Sequence, residues 1–298
     1  MTNTQLTSFS QCAKQLRRRI DTALRVHTEL GDGCPADLRE AIRYSLLAPG
    51  KRLRPVLVLL AAEACGGSVE AAMPAACAVE MVHAYSLVHD DLPAIDDDDL
   101  RRGQPTCHKK FGEATAVLVG DALLTMAFEL LARQIEPPER AAACCAALAE
   151  AAGPCGMVGG QADDVAGPGP DGGLDELVSI HNRKTGAMIR VSLKLGALVA
   201  GADTGQLTAL DEYGRRLGLA FQITDDLLDV RSDEATAGKR VGKDADRGKL
   251  TFPGLLGVDR SAGRAEQLIT EACEALVPLG ARADSLEALA RYVLERNH

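Results

Sequence analysis

Apolar residues recur at three- and four-residue spacing through almost the whole chain, as in Leu16, Ile20, Leu24 and in Leu207, Leu210, Gly214, Leu217, Phe221. Such spacing lays an apolar stripe on successive helices, and the alternation that marks a half-buried strand is hard to find. The chain therefore reads as all-α. Glycine and proline punctuate it where periodic segments end: Gly31-Asp32-Gly33-Cys34-Pro35, Pro49-Gly50, Gly66-Gly67, Pro137-Pro138, Gly153-Pro154 and the run from Gly167 to Gly173. About ten or more helices result, long in the middle of the chain. No linker-like composition shift and no repeat of fixed period interrupts them, so residues 1–298 are expected to form a single domain. The stretch from Arg231 to Lys249 mixes cations, acids and small breakers and reads as a mobile loop.

Composition narrows the function classes. With 46% hydrophobic but only 3% aromatic residues, the core is large and aliphatic. The formal charge of −9 has the wrong sign for a general binder of phosphate backbones, so no nucleic-acid partner is expected. Nine cysteines without a CxxC pair read as reduced thiols and point to the cytoplasm. The apolar run from Val56 stops at Glu63, short of the roughly 20 residues of a spanning helix, so no transmembrane segment is expected. Met1-Thr2-Asn3-Thr4-Gln5 carries no signal pattern, so the mature chain is expected to start there.

Two carboxylate clusters carry the chemistry: Asp90-Asp91-Leu92-Pro93-Ala94-Ile95-Asp96-Asp97-Asp98-Asp99, and Asp225-Asp226-Leu227-Leu228-Asp229. The first sits at the end of a long helix starting after Ser68, a good N-cap, with Pro93 interrupting the next turn. In the second, Asp225 and Asp229 share one helix face about 6 Å apart along the axis, where like charges repel unless a cation bridges them. Oxygen ligands without neighbouring cysteine or histidine suit Mg²⁺, which keeps waters and is completed by substrate phosphates. An EF-hand loop is excluded, since the sixth-position glycine and twelfth-position glutamate are missing. Gly50-Lys51-Arg52-Leu53-Arg54 and Arg101-Arg102-Gly103 supply phosphate partners beside these acids. Together they suggest a diphosphate held by metal ions on one side and guanidinium groups on the other.

Histidines offer a rival reading as an HD-type metal phosphohydrolase. His83 and His89 lie six residues apart, nearly back to back on one helix, which disfavours a shared ion. His89 reads as a packed or capping residue.

In order along the chain stand Gly50-Lys51-Arg52-Leu53-Arg54-Pro55, His83-Ala84-Tyr85-Ser86-Leu87-Val88-His89-Asp90-Asp91, Arg101-Arg102-Gly103, Lys184-Thr185-Gly186 and Phe221-Gln222 before the second acidic cluster. By these motifs the chain resembles the trans-isoprenyl diphosphate synthases, most closely the bacterial farnesyl diphosphate synthases, from about Pro35 to the C-terminus. The four-residue gap between Asp91 and Asp96 is similar to the bacterial and plant form of the first motif.

The resemblance implies long helices around a central cavity, a homodimer, and three Mg²⁺ ions per site with Mn²⁺ able to substitute. It implies that an allylic diphosphate, dimethylallyl and then geranyl, ionises and is attacked by isopentenyl diphosphate. It makes Asp90, Asp96 and Asp225 the main metal ligands, supported by Asp91, Asp226 and Asp229. Arg101, Lys184, Lys239 and Lys249 would hold the allylic diphosphate, although Leu250 replaces the usual small hydroxyl residue after Lys249. Lys51, Arg54, His83 and Arg102 would hold isopentenyl diphosphate, and Thr185 and Gln222 would border the forming cation. Tyr85, with Ser86 beside it, would set chain length. Gly159-Gly160-Gln161 and Asp164 match a segment beside the cavity, where Asp163 departs from an apolar position. The stripe Leu123, Met126, Leu130 reads as core or dimer seam.

Alternatives stay within reach of the same motifs: a geranyl or geranylgeranyl diphosphate synthase, or a class I terpene cyclase. A cyclase would have no use for Lys51, Arg54, His83 and Arg102 and carries a less acidic second motif. A non-catalytic relative would be expected to lose aspartates from one cluster, and both are intact.

Overall fold

The computed structural model describes residues 3–167, 169, 172–231 and 250–295. The all-α expectation holds. The chain runs through α1 (Asn3–His27), α2 (Ala36–Leu46), α3 (Leu53–Ala64), α4 (Val69–Asp90), α5 (Cys107–Phe111), α6 (Glu113–Gln134) and α7 (Pro138–Ala152). It continues through α8 (Met157–Ala166), α9 (Leu174–His181), a π-helical turn (Asn182–Gly186), α10 (Ala187–Ala200) and α11 (Thr204–Arg231). After the segment outside the described residues come α12 (Phe252–Leu256), α13 (Val258–Ala275), a 3₁₀ segment (Val277–Ala283) and α14 (Asp284–Glu295).

Helix α3 is apolar on every side, and Pro55 to Ala62 are all buried, which makes it the central element. It is flanked by α4 and α10. The approach of α10 is close enough that a Cβ on Gly196 would stand 2.1 Å from the Val58 carbonyl oxygen, so only glycine fits there. Ser68 caps α4 as expected, its hydroxyl accepting from the Ala71 N–H at 3.2 Å. At the far end, the buried Tyr213 of α11 donates its hydroxyl to the Leu286 carbonyl at 2.8 Å and ties α14 to the bundle. The buried apolar side chains form one continuous cluster from Leu16 to Val293. Within it lie Leu123 and Leu130 of the α6 stripe, while Met126 packs at its edge.

Within the all-α class the described residues hold one small hairpin. A two-stranded antiparallel hairpin pairs Leu100 with Pro105 and Arg101 with Gln104. Its loop residues Arg102 and Gly103 both have positive φ (54° and 76°), the pattern of the tight turn that matches strand twist. The membrane expectation also changes: Val69–Asp90, Glu113–Gln134 and Pro138–Ala166 are long and apolar enough to cross a membrane by length and composition. Counting unbroken apolar runs missed them because alanine-rich helices tolerate scattered charges. The third is broken between α7 and α8, and 67% of the α4 stretch is buried inside the bundle.

Candidate active site

Helix α4 ends in the first acidic cluster, and the chain folds back on that end. The backbone N–H groups of Asp96, Asp97 and Asp98 donate to the carbonyl oxygens of Asp90 (2.8 Å), Leu92 (3.1 Å) and Asp91 (3.2 Å). Asp97 sits in the left-handed region (φ 49°) to make this return. Asp96 is thereby delivered beside Asp90. Burial pushes the Asp90 carboxyl up to about 6, with Lys184 and Arg101 opposing the rise and Asp96 and Asp91 adding to it.

The hairpin swings Arg101 onto this cluster. Its Nε donates to both oxygens of the buried Asp91 (2.8 and 2.9 Å), and Nη2 also contacts the carboxylate. Asp98 lies 4.0 Å from the same guanidinium. Arg102, at the hairpin turn, reaches the Pro49 carbonyl, and a Cβ on Gly50 would collide with its guanidinium at 2.5 Å. The glycine of Gly50-Lys51-Arg52 is thus a clearance for Arg102.

The basic motif divides. Lys51 is exposed. Arg52, in the left-handed region (φ 51°), turns inward to Asp21 (2.9 Å), Glu80 (2.8 Å) and the Ala48 carbonyl (2.9 Å). Its hydrogen bonds go to protein acceptors and anchor the loop, and it also lines the cavity beside His83. Arg54 opens α3 with its Nε buried and without a hydrogen-bond partner. Burial lowers its guanidinium, partly offset by Glu80 and Asp225. His83 is held well below the usual imidazole range by burial and then by Arg54, Arg102, Arg101 and Arg52. It is neutral at pH 7, inside a positive field. A cavity between α2, α4 and the hairpin is lined by Glu80, His83, Asp91, Arg101 and Arg102.

On the opposite side, the π-helical turn presents Lys184 and Thr185, both half-buried. Such turns concentrate at functional sites because the extra residue re-aims side chains. Lys184 Nζ pairs with Asp164 Oδ2 of α8 at 2.7 Å, and Arg183 pairs with Asp163. The charged departure at Asp163 therefore has a partner. A Cβ on Gly160 would stand 2.4 Å from the Lys184 N, so this glycine lets α8 approach the turn. Both amide atoms of Gln161 are buried without hydrogen-bond partners.

Helix α11 brings half-buried Gln222, Asp225 and Asp229. Asp226 is buried, and its Oδ2 accepts the Phe252 N–H at 2.9 Å. Tyr85 is buried with its ring edge-on to His89 (5.8 Å between centroids), and burial followed by Asp90 raises its phenol. His89 Nε2 lies 3.1 Å from the Val117 carbonyl, the packed role expected for it. Ser86 Oγ donates to the His83 carbonyl at 2.9 Å. Lys239 and Lys249 lie outside the described residues, as does most of the expected Arg231–Lys249 loop.

Sequence reasoning missed Glu80 and Asp21, the counter-charges of Arg52; the signal for Glu80 was a lone acid inside an apolar helix. It also missed that Asp97, Asp99 and His108 bring ligand atoms within 4.8 Å of one another, beside the Lys109–Asp99 pair at 2.8 Å.

An all-helical bundle that gathers carboxylates against arginines and lysine over an aliphatic interior has solved counterparts among the isoprenoid synthases. An FPP/GFPP synthase from Zymomonas mobilis aligns with a TM-score of 0.86 at 36% identity, covering 97% of this chain and 99% of that one. The polyprenyl synthetase model matches residues 35–277, and this chain belongs to that family. A farnesyl diphosphate synthase from Geobacillus stearothermophilus is 48% identical over 88% of both chains. A chloroplastic geranylgeranyl pyrophosphate synthase from Arabidopsis thaliana is 46% identical over 94% of this chain and 80% of its own.

Proposed function

We propose that this chain is a trans-prenyltransferase that joins isopentenyl diphosphate head to tail to dimethylallyl and then geranyl diphosphate, giving (2E,6E)-farnesyl diphosphate. The observation that carries the reading is two overlapping groups of charge at the α4 terminus: Lys184, Asp96, Arg101 and Asp91 around Asp90, and Arg54, Arg102, Arg101 and Arg52 around His83. Two anionic head groups need two such cradles.

The carboxylates fit Mg²⁺, because burial holds Asp90 near 6 among neighbouring acids, a state that a divalent cation relieves. Asp90, Asp96 and Asp225 would hold the ions, with Asp91, Asp226 and Asp229 in support. When bound, Mg²⁺ draws charge onto the departing diphosphate. Arg101 and Lys184, with Lys239 and Lys249, orient that diphosphate through charge-assisted hydrogen bonds. Lys51, Arg54, His83 and Arg102 bind isopentenyl diphosphate, where neutral His83 can donate without adding charge. Thr185 and Gln222 border the carbocation with oxygen dipoles, and the aliphatic walls keep water from capturing it. Tyr85, five residues or about one and a half turns before Asp90, closes the chain-length floor. The same reading has the chain act in the cytoplasm and as a homodimer, the second supported by Val117 and Leu118 standing exposed on α6.

A geranylgeranyl-forming activity is the second reading, favoured by the 46% identity to the Arabidopsis synthase. The test is incubation with Mg²⁺, dimethylallyl and isopentenyl diphosphates, followed by dephosphorylation and sizing of products. Farnesol as the end product supports the first reading, geranylgeraniol the second, and no prenyl product contradicts both.

A further inference from the structure

Glu80 is a buried acid to which the reaction proposed above gives no part. It stands three residues before His83 on the same face of α4, and both line the cavity under the hairpin together with Arg52, Arg101 and Arg102. Its Oε1 accepts from Arg52 Nη1 at 2.8 Å, while Oε2 is buried and accepts no hydrogen bond. The charge reaches beyond that pair. Burial lowers the Arg102 guanidinium and Glu80 opposes the fall, with Arg52 and Arg101 adding to it. Burial also lowers Arg54, and of the two acids that oppose it Glu80 outweighs Asp225. One carboxylate therefore acts on Arg52, Arg54 and Arg102 at once. Without it, the guanidinium groups around His83 would face a diphosphate as bare positive charge in a site where burial leaves little screening.

The condensation makes such a hold costly. A carbon–carbon bond forms to the double bond of isopentenyl diphosphate as the allylic carbon–oxygen bond breaks, inorganic diphosphate departs and one proton is lost. The product thus keeps the diphosphate that came with isopentenyl diphosphate, and that head group still lies in the basic cradle. It has to leave after every condensation, either to be elongated again or to reach solvent. We propose that Glu80 is a positioning residue that weakens the hold of Arg54 and Arg102 on this head group, so that each new allylic diphosphate departs from the cradle. The inference rests on the function proposed above. Affinity that substrate and product share lowers KM without helping the chemical step, and beyond that point it slows departure.

The test measures binding of isopentenyl diphosphate to the full chain by equilibrium dialysis without allylic substrate, and compares single-turnover with steady-state rates. Glu80→Gln keeps an acceptor for Arg52 and removes the charge. It should bind isopentenyl diphosphate at least about fivefold more tightly. Its single-turnover rate should stay within about twofold of wild type while steady-state turnover falls at least about fivefold, giving a burst of product. Glu80→Asp, which restores the charge, should return both readings toward wild type. A merely structural role has the opposite sign, looser binding and a slower first turnover, and that result overturns the proposal. If Glu80→Gln does not fold, Arg52→Met/Glu80→Met replaces the buried pair with apolar side chains, a change such pairs often tolerate. That variant loses one charge of each sign and should bind within about threefold of wild type, whereas weakening by about tenfold or more overturns the proposal. No binding of isopentenyl diphosphate to the wild type contradicts the proposed function itself. Wild-type binding that Glu80→Gln leaves unchanged overturns this inference alone.

Discussion

The N–H of Asp96 donates to the carbonyl oxygen of Asp90 at 2.8 Å, so a six-residue step in sequence ends with the two aspartates side by side. The return loop makes one carboxylate pair from residues that no regular helix would bring together. Asp90 rises to about 6 from the ordinary 3.8 because it is buried, with Asp96 and Asp91 adding to the rise. Without metal, the folded chain holds that proton to higher pH than the unfolded chain does, so stability falls as pH rises from about 4 to about 6. On the proposed function Mg²⁺ would bind this carboxylate, and it should then raise the melting temperature by several degrees at pH 7.5 and by little below pH 5. Equal shifts at both pH values, read by thermal denaturation, would contradict this.

The Arg52–Glu80 pair tests what the basic motif does besides binding. Both side chains are 5% exposed. Breaking a buried pair leaves an uncompensated charge at a cost of about 3–5 kcal/mol. Arg52→Met should therefore lower stability on that scale in chemical denaturation. Lys51→Met, at an exposed position, should change it by less than about 0.5 kcal/mol.

The two cradles should separate in kinetics. Arg102→Gln should chiefly raise the KM for isopentenyl diphosphate, and Lys184→Ala the KM for the allylic substrate. Asp164→Asn, which weakens the 2.7 Å partner of Lys184, should follow Lys184→Ala in kind and be milder. A shift in the same substrate's KM for both cradles would show that they are not distinct.

Much of this site was legible in residue spacing. Ser68, the run at Asp90 and Pro93 fixed the limits of α4, and the four-residue step from Asp225 to Asp229 fixed their common face. The hairpin was not legible, because its turn puts an arginine at positive φ where asparagine or glycine usually signals one. Composition and spacing alone did not tell Arg52 from Arg54; the family resemblance assigned only Arg54 to the substrate. The difference between them is tertiary: Asp21 and Glu80 arrive from distant helices and bind only the first. The π-helical turn has no periodicity of its own within five residues.

Product length should depend on Tyr85. Its ring packs edge-on against His89, which in turn is fixed to the Val117 carbonyl of α6. Tyr85→Ala opens space beside the first acidic cluster and should let products of 20 or more carbons accumulate, detected by sizing the dephosphorylated alcohols. An unchanged farnesyl stop at normal rate would move the floor to Ser86 or to α6 near Leu118 and Leu123.

The central claim is that catalysis needs both acidic clusters acting on one allylic diphosphate, and steady-state turnover of Asp90→Ala and Asp225→Ala tests it most directly. Each substitution should cut turnover by roughly three orders of magnitude or more while the fold is retained, and EDTA should abolish activity in the wild type. Near-normal turnover in Asp225→Ala would contradict the claim and leave the second cluster as a solvated helix face.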